Sequence, residues 1–208
     1  MNLQTIILVP LLTIWAIGQA PSQNKPLPNN PKAFVQSLYT QVVARHPYGI
    51  LSDAADKKTF HPYLSGTLLH KIVLAGACSK DWVRQNRGRV IKAPFGWSES
   101  GPFSGANERG DPRAFAIEKI EPEKDGSYRV YVSLKWWEAS DKNADIYQTT
   151  PSRPDVWRVA AVVVRENAHL AIDDVIYLKD KDLETEYRLT EVLSEGCDGT
   201  HWVGYREH

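Results

Sequence analysis

Phe34, Leu38 and Val42 recur at helical spacing, with Val35 beside them, directly after an Asn30–Pro31 pair. The pattern predicts a helix capped by the Asn30 side chain and opened by a proline at its first position. Pro47 disfavours helical geometry in the residue before it, so this helix is expected to stop near His46. Ser52 is the expected cap of a short helix reaching Lys58. A longer helix, from about Ser65 to Val83, carries Leu68, Leu69, Ile72, Val73 and Ala75 as an apolar stripe and places Cys78 near its last turns. From Arg87 to Arg113 the periodicity dissolves into Gly, Pro and Ser, interrupted by Trp97 and Phe103. A structureless stretch of that length inside a domain is commonly functional or mobile.

The period then changes from helical to alternating. Phe115 to Ile120 is a short mixed strand, and Pro122 to Gly126 carries turn chemistry. Tyr128, Val130, Val132, Leu134 and Trp136 alternate with Arg129, Ser133 and Lys135, the signature of a half-buried strand. Ala139 to Pro154 is a polar loop. Val156 to Arg165 and Leu170 to Leu178 are Val- and Ile-rich strands joined by a tight turn at Glu166, Asn167 and Ala168. Glu184 to Ser194 has a helical pattern ended by Gly196. Helices followed by antiparallel strands give an α+β class: N-terminal helices on a curved antiparallel sheet of about four strands, with a short C-terminal helix.

The first residues obey neither period. Ile6 to Ile17 is apolar apart from Pro10 and Thr13. At roughly a dozen residues it falls short of the ~20 that a spanning helix requires. Small residues stand at its end and just past it, at Ala16, Gly18 and Ala20, so the run is expected to be an export signal cut after Gly18, with Ala20 as the alternative site. No Lys or Arg precedes the run, which departs from the usual pattern. Residues 19–30 form a Pro- and Asn-rich leader, and a single domain is expected over 31–205. The expected location is periplasmic or extracellular, without stable membrane insertion once the signal is gone. In that setting Cys78 and Cys197, the only cysteines, are expected to pair.

The chain carries 25 basic and 25 acidic residues, for a net charge of +0, which argues against a nucleic-acid partner. No phosphate-binding glycine loop, metalloprotease helix or nucleophile elbow is present, and Ser104 has the wrong spacing for the last. His61 and His70 do not share a helix face, so no metal site and no cofactor are expected.

Paired N-terminal helices ahead of a long antiparallel sheet resemble the nuclear transport factor two-like (cystatin-like) cone. Phe34 to Tyr39, Tyr63-Leu64-Ser65, Trp157-Arg158-Val159 and Ile172-Asp173-Asp174-Val175 are similar to an uncharacterised bacterial exported family within it. The resemblance covers most of residues 31–180, and Glu184 to Tyr205 is an addition to the generic cone. It implies a fold that hosts both enzymes and plain binding modules.

Two groups of residues carry candidate chemistry. The loop residues Trp97, Glu99, Phe103, Glu108, Arg109 and Asp111 mix aromatic platforms with both signs of charge, as a binding loop does, and Trp136 on its strand is a further candidate ligand contact. Its neighbour Trp137 faces the other side of the sheet and is a candidate partner or homodimer surface. The second group is Asp173 and Asp174, of which alternation allows one to face inward. With a two-residue turn at Asn167 and Ala168, Val163 is expected opposite Ile172, Ala161 opposite Asp174, and Val159 opposite Ile176. The apolar face with Trp157, Val159, Ile176 and Leu178 would then pack under the helices, making Asp174 the inward carboxylate and a candidate catalytic acid or base. The leading expectation is a non-enzymatic exported module binding a small ligand or a protein. The alternatives are an isomerase or hydratase using that acid, and an inhibitor or immunity protein for a secreted toxin.

Overall fold

The structure, a computed structural model, describes residues 27–95, 101–105, 111–137, 154–181 and 183–205. The expected signal, most of the leader and most of the polar loop before Pro154 lie outside these residues.

Helix α1, Pro31–Arg45, begins as its sequence dictates: the Asn30 side chain accepts a hydrogen bond from the Ala33 N–H at 3.2 Å, and Pro31 needs no N–H at that position. It ends at His46, which adopts a left-handed conformation (φ 50°) ahead of Pro47. Phe34, Val35, Leu38, Tyr39 and Val42 form its buried face. Helix α2, Ala54–Phe60, is capped by Asp53 rather than by Ser52; the Asp53 carboxylate accepts from two successive backbone N–H groups. After a single 3₁₀ turn, His61–Tyr63, helix α3 runs Gly66–Gln85 with Ser65 as its cap. Its buried stripe is Leu68, Ile72, Ala75, Cys78 and Trp82, whereas Val73, expected in that stripe, is 64% exposed.

Strands β1 (Ala114–Pro122), β2 (Tyr128–Trp136), β3 (Asp155–Glu166), β4 (His169–Tyr177) and β5 (Tyr187–Arg188) form one antiparallel sheet in sequence order. The sheet has five strands, one of them only two residues long, in keeping with the expected antiparallel sheet of about four. The expected helix over Glu184 to Ser194 is shorter: β5 takes its first part, and helix α4 covers Leu189–Val192. A two-residue hairpin, β6 (Cys197–Asp198) with β7 (His201–Trp202), follows. The inner face of the sheet, including Val130, Val132, Leu134, Trp157, Val159, Ala161, Val163, Ile172, Val175 and Tyr177, packs into one cluster with the helices.

The β3–β4 turn is built as expected. Asn167 and Ala168 both have positive φ, at 47° and 67°, and Glu166 pairs with His169. Val163 opposes Ile172 as expected, but the pairing then slips by one residue. Asp174 opposes Val162, Val175 opposes Ala161, and Tyr177 opposes Val159, so the expected Ala161–Asp174 and Val159–Ile176 pairs do not form. A bulge at Asp173 is responsible, because one extra residue inverts every later side chain. The bulge is tied to the start of α3. Ser65 donates its hydroxyl to Asp173 at 2.6 Å and its N–H to the Ile172 carbonyl at 2.9 Å.

The C-terminal addition is tied down at several points. Cys78 and Cys197 form a disulfide across Cα atoms 6.1 Å apart, as expected. One helical turn beyond Cys78, the buried Asp81 accepts the Trp202 N–H at 3.0 Å, the Gln85 amide at 2.9 Å and the Arg84 guanidinium. The Trp202 N–H, followed by Gln85 and Arg84, holds the Asp81 carboxyl below its ordinary value of 3.8, against the opposing pull of burial. The sign follows from linkage. Stability contributed by a depressed carboxylate is present above the unfolded value and is lost as pH falls through the folded one. Thermal denaturation from pH 5 down to pH 2 is expected to show a falling midpoint below about pH 4. Asp81→Asn should flatten that limb; an unchanged slope would show that Asp81 does not titrate with folding.

Candidate functional site

The interior contains a feature that periodicity does not announce. Residues 101–105, Gly-Pro-Phe-Ser-Gly, seat in the core, with Phe103 1% exposed and its ring 5.3 Å from that of Phe60. Three buried side chains donate to three successive carbonyls of this plug. Tyr177 Oη reaches the Pro102 oxygen at 2.8 Å, Tyr39 Oη the Phe103 oxygen at 2.9 Å, and Trp157 Nε1 the Ser104 oxygen at 2.9 Å. Burying these donors without acceptors would be costly, so the plug and its partners require one another. Burial pushes both tyrosine hydroxyls well above the usual phenol range, keeping them protonated donors. Both flanking glycines are required. A Cβ on Gly101 would lie 2.5 Å from the Pro47 carbonyl oxygen, and one on Gly105, at φ 60°, would lie 2.2 Å from the Tyr177 ring.

Asp174, the candidate acid or base, is 3% exposed, and four donors occupy it. Its Oδ1 accepts from the Val175 N–H (2.9 Å) and the Thr190 N–H (3.1 Å); its Oδ2 accepts from the Thr190 hydroxyl (2.8 Å) and Arg188 (3.1 Å). Because of the bulge it shares a side of the sheet with Val162 rather than with the helix-facing Ala161, which corrects its expected inward placement. In this setting the carboxylate fastens the β5–α4 segment to β4. Asp174→Ala is expected to cost about 1–3 kcal/mol by orphaning buried donors, while Asp174→Asn, which retains an acceptor for the two N–H groups, should cost less. Urea midpoints would measure both. Equal losses, or none from the alanine variant, would remove Asp174 from this structural role.

The remaining expected binding residues are divided. Trp97, Glu108 and Arg109, with Glu99, lie outside the described residues. Phe103 belongs to the plug and is spent on the core. Trp136, at the end of β2, is half-buried: one side of it packs on the core, and the other borders an open cleft of about 400 Å³. The cleft lies where the end of α1 meets the ends of β1 and β2, and among the described residues Val43, His46, Asp111 and Arg113 line it with Trp136. Arg113 is placed by its own N–H, which donates to the Lys135 carbonyl at 2.8 Å and continues the β1–β2 ladder. His46 is placed by the helix stop before Pro47, and its Nδ1 lies 4.0 Å from Asp111 Oδ2. Among the described residues, Arg113 has no acidic side chain within ion-pair distance. Among the described residues the lining offers an aromatic face, a guanidinium, a carboxylate and an imidazole, groups that can hold a polar ligand by charge and stacking. Asp111 was legible as part of a mixed-charge loop, but nothing in the pattern brought Val43, His46 or Arg113 to Trp136.

No family model matches the chain, and no curated protein or solved structure matches it.

Proposed function

We infer that this protein is an exported, non-enzymatic binding module, built on a cone-like helix–sheet scaffold of the nuclear transport factor two-like kind, that takes a small polar ligand at the Trp136 cleft. The observation that carries the reading is the cleft itself, which gathers an aromatic face and side chains of both charge signs at an open edge of the fold. The interior supports it from the other side. The candidate acid is committed to four structural hydrogen bonds, and the plug fills the space between Tyr39, Trp157 and Tyr177. Export is supported by the short apolar run near the N-terminus and by the disulfide; among the described residues no helix is long and apolar enough to cross a membrane.

Two measurements test this. Intact mass of protein recovered from the cell envelope or medium should correspond to a chain starting near Gln19, and a species retaining Met1 would refute signal removal. A thermal-shift screen across amino acids, organic acids, amines, sugars and nucleosides should give at least one ligand class that stabilises the protein and loses its effect in Trp136→Ala. No stabilising class, or stabilisation indifferent to Trp136, would refute a small-ligand cleft. In that case Trp137 (36% exposed) and Val156 (45% exposed), the latter on the opposite side of the sheet from the helices, become the residues to test for a protein partner.

A further inference from the structure

We propose that the cleft recognises a small zwitterion, a molecule carrying a carboxylate and an ammonium on one compact apolar or aromatic body, as an α-amino acid does. The proposal rests on the binding reading above and specifies its ligand class.

Asp111 and Arg113 are separated by a single residue and line the same cleft with opposite charges. A purely anionic ligand drawn to Arg113 meets Asp111, and a purely cationic one drawn to Asp111 meets Arg113. In a half-open site of intermediate dielectric, such like-charge contacts offset much of the attraction. A molecule with both charges meets neither penalty. Arg113 has no described acidic partner and offers a planar fork suited to a carboxylate. The Asp111 carboxylate is 54% exposed, and the nearest described basic nitrogen, His46 Nδ1, stands at the limit of ion pairing, 4.0 Å away. It therefore remains open to an ammonium.

The other two described lining residues define the body of the ligand. Trp136 presents an indole whose inner side is anchored in the core, so it is a rigid platform for an apolar or aromatic group. Val43 adds aliphatic surface on the α1 side. At about 400 Å³ the cleft is of the size that holds one small molecule rather than a folded partner.

The test uses the full mature chain and isothermal titration with three probes of matched body: phenylalanine, its deaminated acid 3-phenylpropionate, and its decarboxylated amine phenethylamine. Phenylalanine should bind at least tenfold more tightly than either single-charge analogue. Arg113→Ala should abolish the advantage of phenylalanine over the amine, and Asp111→Asn its advantage over the acid. Trp136→Ala should weaken all three. Circular dichroism of each variant separates loss of binding from loss of fold. If 3-phenylpropionate or phenethylamine matches phenylalanine, the zwitterion proposal is overturned while a Trp136 ligand cleft stands. It is overturned in the same way if amino acids fail to bind while a sugar or nucleoside binds in a Trp136-dependent manner. Failure of every class tested overturns both readings.

Discussion

Phe103→Ala is expected to cost about 3–5 kcal/mol, the range for truncating a fully buried phenylalanine. The residue lies in a Gly- and Ser-rich stretch whose composition suggests a tolerant loop, so the size of the effect is what distinguishes a plug from a surface excursion. Its ring packs on Phe60, and its own carbonyl and those of its two neighbours accept hydrogen bonds from Tyr39, Tyr177 and Trp157. Truncation therefore opens a cavity and loosens the acceptors of three buried donors together. Urea denaturation should show a lower midpoint at an unchanged slope; a loss below about 1 kcal/mol would mean that the segment is not integral to the core. Alkaline pH provides a second readout. Tyr39 and Tyr177 keep their protons in the fold, whereas an unfolded phenol ionises near pH 10. Their contribution is present below that value and is lost as pH rises through the folded values.

Replacing Cys78 and Cys197 together by serine is expected to cost about 2–5 kcal/mol, since the bond closes more than half of the chain into one loop. The loss should be unevenly distributed. Leu189 and Leu193 remain in the main cluster and Asp81 still accepts the Trp202 N–H, so the end of the chain keeps part of its attachment without the bond. Amide exchange should consequently accelerate most over residues 197–205 and the facing last turns of α3, and least in β2 and β3. Equal denaturant midpoints for the wild type and the double variant would show that the bond contributes no stability.

What was legible in the sequence divides along a physical line. Local signals carried far: the Asn30–Pro31 start, the stop before Pro47, the alternation across β2 and the two-residue turn at Asn167–Ala168 are each set by a few neighbouring residues, and each stands where it was expected. The cysteine pair was legible because two cysteines allow one connectivity. Features created by distant contacts were not. The bulge at Asp173 depends on Ser65, more than a hundred residues earlier, and alternation alone cannot register it. The tail residues Tyr187 and Arg188 have a helical pattern but pair with the free edge of β4, a case of tertiary pairing overriding local periodicity. The plug was readable only as two glycines bracketing Pro-Phe-Ser, and its three donors come from α1, β3 and β4. Of the candidate site, Trp136 and Asp111 were legible as residues. Arg113 meets Trp136 through the long-range pairing of β1 with β2, and His46 joins them through the way the end of α1 lies against the sheet.

The plug also sets an order of events. Strands β1 to β4 are neighbours both in sequence and in the sheet, whereas the carbonyls of residues 102–104 find their donors only once α1, β3 and β4 have come together. Seating this segment is thus expected to follow the rate-limiting assembly rather than to drive it. In a chevron plot Phe103→Ala should leave the refolding arm nearly unmoved and raise the unfolding arm, placing the bracketed turn among the last parts to lock and the first to let go. For this chain the lifetime of the native state, more than the speed of reaching it, would be governed by five residues that no helix or strand contains.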